Sequence, residues 1–343
     1  MNPMKPKLER KFIKICTEHP NETYLSLPDA PQEGFEYLFS SNNPGFNKLQ
    51  ALKEKFSNLS ILKTFLKYMR KILSERKKSY KDIRVYTNEL QTTGSISNSN
   101  LLVDSYPNQE LFETMSNFIM EQYPGEEFTF GFTKLPSELI FKKKAVLFNH
   151  VLVVIQEMKK DKIDLAPSVE AGDEVMRVYG RLGKVVNELA RWLRDKGIKA
   201  QSNHPLGGLV CTPPLAGKAG LGWIGKGGLL ITPKFGSRVR IAPIFIQNKI
   251  FSYTDTLEHQ WIEKYCKTCG LCQRSCPTQA IYTEKKMNID KVEGIGSMRT
   301  CIDRKRCFPY FNKTLGCSIC IKVCPFSKGQ HIYKKLKKAI MDV

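Results

Sequence analysis

The sequence predicts an α/β domain followed by a smaller α+β module assembled on cysteines, and three observations carry that expectation. A buried-strand pattern and a long amphipathic helix pattern alternate through the middle of the chain. A glycine- and proline-rich segment, His204 to Gly228, follows them and reads as loop. Nine of the eleven cysteines then crowd between Cys266 and Cys324. With 343 residues the chain has room for two or three domains. The expected divisions are a basic, largely helical region over 1–105, an α/β domain over 106–252, the cysteine module over 253–330 and a basic tail over 331–343.

Each element has its own pattern. Leu49, Leu52, Phe56, Leu59, Leu62, Phe65, Leu66, Met69, Ile72 and Leu73 recur at steps of three and four. They predict a basic helix from about Phe46 to Lys78, broken near Ser57-Asn58, with the stripe facing a core. The polar stretch Gln91 to Asn100 reads as a loop. Ala145 to Gln156 reads as a buried strand, and Arg238 to Ile246 as another. Asp173 to Lys196 predicts a helix with Val175, Val178, Leu182, Val185, Val186, Leu189 and Leu193 inward, closed by Gly197. The run Lys334-Lys335-Leu336-Lys337-Lys338 reads as a solvated helix end.

No apolar run is long enough to span a bilayer. Met1 to Lys14 carries basic residues without the apolar core of an export signal, so the expected compartment is the cytoplasm. In that compartment thiols stay reduced, and clustered cysteines point to metal ligation rather than disulfides. The chain holds 54 Lys+Arg against 33 Asp+Glu, a net +21. That excess suits polyanionic or acidic partners: nucleic acid, an anionic cofactor or an acidic electron donor. Part of it is local, since 17 Lys+Arg and 8 Asp+Glu fall between Phe251 and Val343, where anionic metal clusters would be buried.

Cys266-x2-Cys269-x2-Cys272-x3-Cys276-Pro277 is the bacterial-ferredoxin run. Its first three thiolates hold one four-iron cube and its fourth reaches a second. The second run, Cys317-x2-Cys320-x3-Cys324-Pro325, lacks one close cysteine, which Cys307 can supply with Cys301 as its rival. Reciprocal pairing assigns Cys266, Cys269, Cys272 and Cys324 to one [4Fe–4S] cluster, and Cys276, Cys307, Cys317 and Cys320 to the other. A zinc ribbon is the competing reading of paired C-x2-C, and two Cys-Pro-terminated ferredoxin runs weigh against it. Some 250 residues precede the module, which makes the clusters an electron wire into a larger domain.

Ala219-Gly220-Leu221-Gly222-Trp223-Ile224-Gly225-Lys226 resembles a segment of epoxyqueuosine reductases, corrinoid-dependent enzymes of tRNA modification. Gly228 to Gly236, Arg238-Val239-Arg240 and Pro214-Leu215-Ala216 are similar instead to reductive dehalogenases. The resemblance covers roughly Val175 to Lys328. It implies a nitroreductase-like α/β domain that binds a base-off cobamide, fed with electrons by the ferredoxin-like module, itself reduced by a ferredoxin or flavodoxin. It makes the chain a cobamide-dependent reductase, with tRNA among its expected partners. Dehalogenation, or electron delivery to a separate corrinoid protein, are the alternatives.

The same resemblance nominates site residues. Tyr179 matches a proton-donating tyrosine of the dehalogenases. Cys211, in Val210-Cys211-Thr212-Pro213-Pro214, stands where epoxyqueuosine reductases carry an acidic proton donor. Lys226 can place positive charge or a proton beside the substrate. Gly220, Gly222, Gly225 and Lys226 are the expected cobamide contacts, the glycines letting backbone approach a flat cofactor closely, with His204 reaching its phosphate or amides. Tyr179, Cys211 and Lys226 are expected to line one cavity.

Overall fold

The computed structural model describes Lys14, Tyr24–Leu25 and residues 59–96, 108–281, 291–292, 296–297, 302–314 and 316–341. Cys16, Cys301 and the first part of the expected basic helix, 46–58, lie outside the described residues.

Helix α1 (Leu59–Thr93) leads through α2 (Gln109–Gln122) to strand β1 (Phe128–Lys134) and strand β2 (His150–Glu157). Helix α3 (Val169–Asp195) and the short strand β3 (Ala200–Ser202) follow. Helix α4 (Thr212–Lys218), the hairpin of β4 (Trp223–Ile224) and β5 (Leu230–Ile231), and strand β6 (Val239–Ile246) complete the mixed domain. The cysteine module contains α5 (Trp261–Cys269), α6 (Leu271–Arg274), α7 (Arg304–Lys313), α8 (Ile319–Lys322) and α9 (Gln330–Met341).

The central sheet has the order β1-β2-β6-β3, and every pair in it is antiparallel. Helix and strand are mixed as expected, while the antiparallel pairing is a long-range property on which hydrophobic runs are silent. β2 and β6 are apolar on both faces, as strands covered on both sides must be. Val151, Val153, Ile155, Val239, Ile241 and Phe245 pack with α4 and the C-terminal half of α1. Leu152, Val154, Ala242, Ile244 and Ile246 pack with α2 and α3. The strand expected over Ala145 to Gln156 is split: Ala145–Val146 pairs with Tyr24–Leu25, and β2 starts again at His150.

Ser168 starts α3, its side chain accepting the Ala171 N–H, and Gly197 at φ 79° ends it. All seven residues expected inward on α3 are fully buried. The expected stripe of α1 fares differently. Ile72 is buried, yet Leu66 is 57% and Leu73 43% exposed. The face of α1 that meets α3 sets Ile72 against Gly180 among polar groups. The Tyr68 hydroxyl donates to Asp173 at 2.7 Å, and that of Ser79 to Asn187 at 2.8 Å. Arg194 and the Ser202 hydroxyl both donate to Asp82 at 2.9 Å. α1 also runs on through Thr93, shortening the loop expected from Gln91.

The module docks beneath the sheet's end through Trp223, Ile231, Trp261, Phe326 and Tyr333 on one side and Ile321 against Val175 and Val178 on the other. Helix α9 belongs to this packing. Its lysines Lys334, Lys335 and Lys338 face solvent. The Tyr333 hydroxyl, just before them, is buried, meeting His259 Nδ1 at 2.7 Å and accepting from Trp261 Nε1 at 3.3 Å.

Candidate redox centre

The cysteines are gathered by short helices that begin or end at left-handed residues. Gly270, at φ 59°, separates α5 from α6, so that Cys269 and Cys272 turn toward the same space as Cys266. Ser318, at φ 60°, does the same between Cys317 and Cys320. Two groups result. Burial pushes the Cys266 thiol up to about 12, with Cys324, Cys272 and Cys269 adding to it against the opposing N–H of Lys226. Burial also raises Cys324 to about 11, and Cys272. In the second group burial raises Cys320, with Cys307, Cys317 and Cys276 among its electrostatic neighbours, and lifts Cys307 to about 11. Cys276 is the exception: burial pushes it up, but the Ala280 N–H and the Thr278 hydroxyl outweigh that and lower it. Cys272 and Cys320, one from each group, line the same cleft.

Thiols in such surroundings hold their protons at neutral pH, so metal must displace those protons to bind. Among the described residues no three His, Cys, Asp or Glu side chains form a site for a single metal ion. Cys266, Cys269, Cys272 and Cys324 line one cleft together with Cys320, and four thiols are the donor set that a four-iron cube requires.

The glycine segment lies against the first group. A Cβ on Gly225 would stand 3.5 Å from Cys266 Sγ, and one on Gly227 3.7 Å from Cys272 Sγ. Gly220 and Gly222, expected to approach a cobamide, approach protein backbone: a Cβ on either would lie 2.1 Å from the carbonyl oxygen of Thr254 or Ile231. Lys226, half-buried, lines the same cleft as Cys266, Cys269 and Cys272. Arg238, which the sequence reading left without a role, clamps the far wall. Its Nε donates to the Ser327 carbonyl at 2.8 Å, and Nη1 to Met158 O at 2.9 Å and to Glu157.

Two residues, Leu229 and Cys320, link the Lys226 cleft to the surroundings of Tyr179, lining the first and packing with Tyr179 on one apolar patch. Above the Tyr179 ring, 4.7 Å from its centre, sits the guanidinium of Arg240. The Arg240 Nε is buried and finds no partner among the described residues. Sequence reasoning missed this arginine as a site residue. The available signal was a charged residue at an inward position of an otherwise apolar strand.

The other nominees are elsewhere. Cys211 is the N-cap of α4 and packs on the core with α4 and Leu139, a different patch from that of Tyr179. Of the three residues expected around one cavity, Lys226 alone lines the thiol cleft, while Tyr179 and Cys211 belong to two separate apolar patches. His204 is 2% exposed, with its ring pressed against Gly183 of α3. Its Nδ1 accepts the Leu206 N–H at 3.0 Å, and burial holds it neutral at about 3. It is walled off from any large ligand, which corrects the expectation that it meets a cobamide.

These features define an iron–sulfur protein of the double-cluster kind, and residues 265–327 match the 4Fe–4S double cluster binding domain. The chain is related to two groups of reductases. It is 31% identical over 196 residues to a tetrachloroethene reductive dehalogenase of Desulfitobacterium hafniense, a match spanning 55% of this chain and 34% of that one. It is 32% identical over 158 residues to the epoxyqueuosine reductase of Atelocyanobacterium thalassa, spanning 43% and 47%. Among solved structures, a reductive dehalogenase described in terms of B12-dependent dehalogenation superposes with a TM-score of 0.55 at 18% identity, over 71% of this chain and 35% of that chain. The matches thus span less than half the length of these relatives. No described helix is long and apolar enough to cross a membrane.

Proposed function

We propose that the chain is an iron–sulfur reductase in which two [4Fe–4S] clusters pass electrons to a cobamide and on to a substrate beside Tyr179. The observation that carries the reading is the placement of Tyr179 under Arg240 on the apolar patch that Leu229 and Cys320 share. A redox wire, an acid and a cation are there within one neighbourhood. Cys266, Cys269, Cys272 and Cys324 hold one cluster in this reading, and Cys276, Cys307, Cys317 and Cys320 the other.

The side chains around this patch suited to a cofactor are Tyr179 and Arg240, with Lys226 in the cleft that Leu229 and Cys320 also line, all three half-buried. Two cations and a phenol suit the phosphate and amide periphery of a cobamide, whereas Gly220, Gly222 and His204 are already engaged with the protein. When bound, a cobamide supplies low-valent cobalt, which reduces carbon centres that cluster electrons alone do not. Tyr179 would supply the proton from its hydroxyl to a substrate held at this patch. Arg240 places its positive charge over the ring, 4.7 Å from the centre. The apolar patch keeps water from competing as the acid.

Two substrates fit different features. The basic excess suits a tRNA nucleoside, and the Tyr179–Arg240 pair suits a small organic molecule of the kind dehalogenases reduce. The deciding experiment is anaerobic reconstitution with iron, sulfide and a cobamide, followed by turnover of an epoxyqueuosine-containing tRNA stem loop and of a halogenated phenol. Cobalt near one equivalent with turnover of either supports the reading. Full iron with no cobalt retained would leave only an electron carrier.

A further inference from the structure

Buried hydroxyls need hydrogen-bond partners, and a pair of serines beside the thiol cleft meets that need around a cysteine sulfur. Gly236, at φ 59°, lets the chain between β5 and β6 press on the turn after Cys324. A Cβ there would lie 2.3 Å from the Phe326 carbonyl carbon and 2.5 Å from the Ser327 nitrogen. The next residue, Ser237, is 4% exposed and lines the cleft with Cys266, Cys272 and Cys324. Its Oγ stands 3.1 Å from the Oγ of Ser327, which is equally buried. Arg238 closes the grip by donating to the Ser327 carbonyl at 2.8 Å, while the Ser327 N–H donates to the Cys324 carbonyl at 2.9 Å. Burial raises the Cys324 thiol, and hydrogen bonds from the Phe326 N–H, the Ser237 hydroxyl and the Ser327 N–H oppose it. The second group has a counterpart. The Thr278 hydroxyl meets Cys276 Sγ at 3.6 Å, and the Ala280 N–H donates to the same sulfur at 3.3 Å.

We propose that Ser237 is a positioning residue of the redox chemistry: its hydroxyl, oriented by Ser327, donates to the Cys324 sulfur and raises the reduction potential of the cluster held by Cys266, Cys269, Cys272 and Cys324. Thr278 serves the other cluster in the same way through Cys276. The inference rests on the two-cluster reading and adds which side chains set each potential. A thiolate ligand becomes more negative when its cluster takes up an electron, and a donated hydrogen bond favours that state. Because Ser237 gives its proton to sulfur, its oxygen is left to accept, so Ser327 donates to it and the hydroxyl rotor is fixed. The couple takes one electron from the reductant, no bond is made or broken, and the hydroxyl keeps its proton. Ser237 comes from the mixed domain rather than from the cysteine module. The surface on which the module docks therefore helps to set the potential of the cluster nearest to it.

The test uses the reconstituted chain and needs no substrate. Dithionite titrations followed by electron paramagnetic resonance give two midpoint potentials for the parent protein. Ser237→Ala is expected to lower one of them, making reduction of that cluster about three- to tenfold less favourable, tenfold being about 59 mV for a one-electron couple. Thr278→Ala should lower the other and leave the first in place. Ser327→Ala removes the orienting partner but not the donor, so it should move the same midpoint as Ser237→Ala by a smaller amount. Unmoved midpoints in Ser237→Ala with full iron would overturn the proposal. Equal shifts of both midpoints, or a shift of the same midpoint in Thr278→Ala, would also overturn it. If Ser237→Ala does not load its clusters, Ser327→Ala decides, and an unmoved midpoint there counts against the proposal. Absence of two four-iron signals in the parent protein would instead sink the two-cluster reading itself.

Discussion

Tyr179 and Gly222 show how differently single residues can be read. Tyr179→Phe removes one hydroxyl from a half-buried ring and should leave the iron content unchanged. If that hydroxyl is the acid, turnover falls about 10²–10⁴-fold. Unchanged turnover in an enzyme with full clusters would move the proton donor to Lys226. Gly222 carries no chemistry and yet tolerates less. At φ 154°, with a carbonyl oxygen 2.1 Å from where a Cβ would stand, Gly222→Ala should cost at least about 1–3 kcal/mol through backbone strain. Gly225→Ala meets mainly the flexible end of Ile231, so its melting temperature should drop less. A thermal melt of both proteins reads the difference. The sequence motif made these glycines look alike. Only the neighbouring chain, brought in by the hairpin of β4 and β5, separates one required by backbone packing from one facing a thiol.

At the scale of elements, α3 was legible in full and α1 only in part. α3 has one apolar stripe on the sheet, so period and burial coincide. α1 forms over the described part of its expected span, but its apolar recurrence includes exposed Leu66 and Leu73, while tyrosine, serine and carboxylates join Ile72 in facing α3. That interface is accordingly sensitive to single hydrogen bonds. Asp82 accepts from Arg194 and from both the N–H and the hydroxyl of Ser202. Asp82→Ala strands these donors and should cost about 1–3 kcal/mol in chemical denaturation. Glu126 gives a pH signature. Burial raises its carboxyl, but Arg177, at 2.5 Å, and Gln156, at 2.7 Å, outweigh that and lower it. A depressed carboxylate stabilises the fold above the ordinary carboxylate range, and that contribution is lost as pH falls through its folded value. The acid limb of stability against pH should therefore be shallower in Glu126→Gln.

For the whole molecule, two cubes require about eight iron atoms per chain after anaerobic reconstitution. Stoichiometric zinc with little iron would overturn that expectation. Cys307→Ser should damage one cluster while Cys301→Ser leaves both, and the reverse result would transfer the ligand role to Cys301. The basic excess has a test of its own. Lys71 is lowered by burial and by nearby Arg181 and Lys184, so a seam of cations lies between α1 and α3. If tRNA binds there, its affinity should fall steeply with salt, and Arg181→Glu should reduce the slope by roughly one counterion. Failure to bind tRNA at low salt would favour a small substrate.

The sequence by itself determined the double-cluster module, because thiol spacing in a local run restricts which metal the loop can hold. It determined the strand–helix alternation and the buried stripe of α3 for a similar reason, since short-range periodicity records which face meets a core. Tertiary structure alone decided that the central sheet is antiparallel, that hydrogen-bonding groups of α1 meet α3, that His204 is buried against Gly183, and that Cys211 packs on another patch than Tyr179. It also set Arg240 over Tyr179. These depend on which distant segments become neighbours, 61 positions apart for that pair, and no local pattern encodes such pairing.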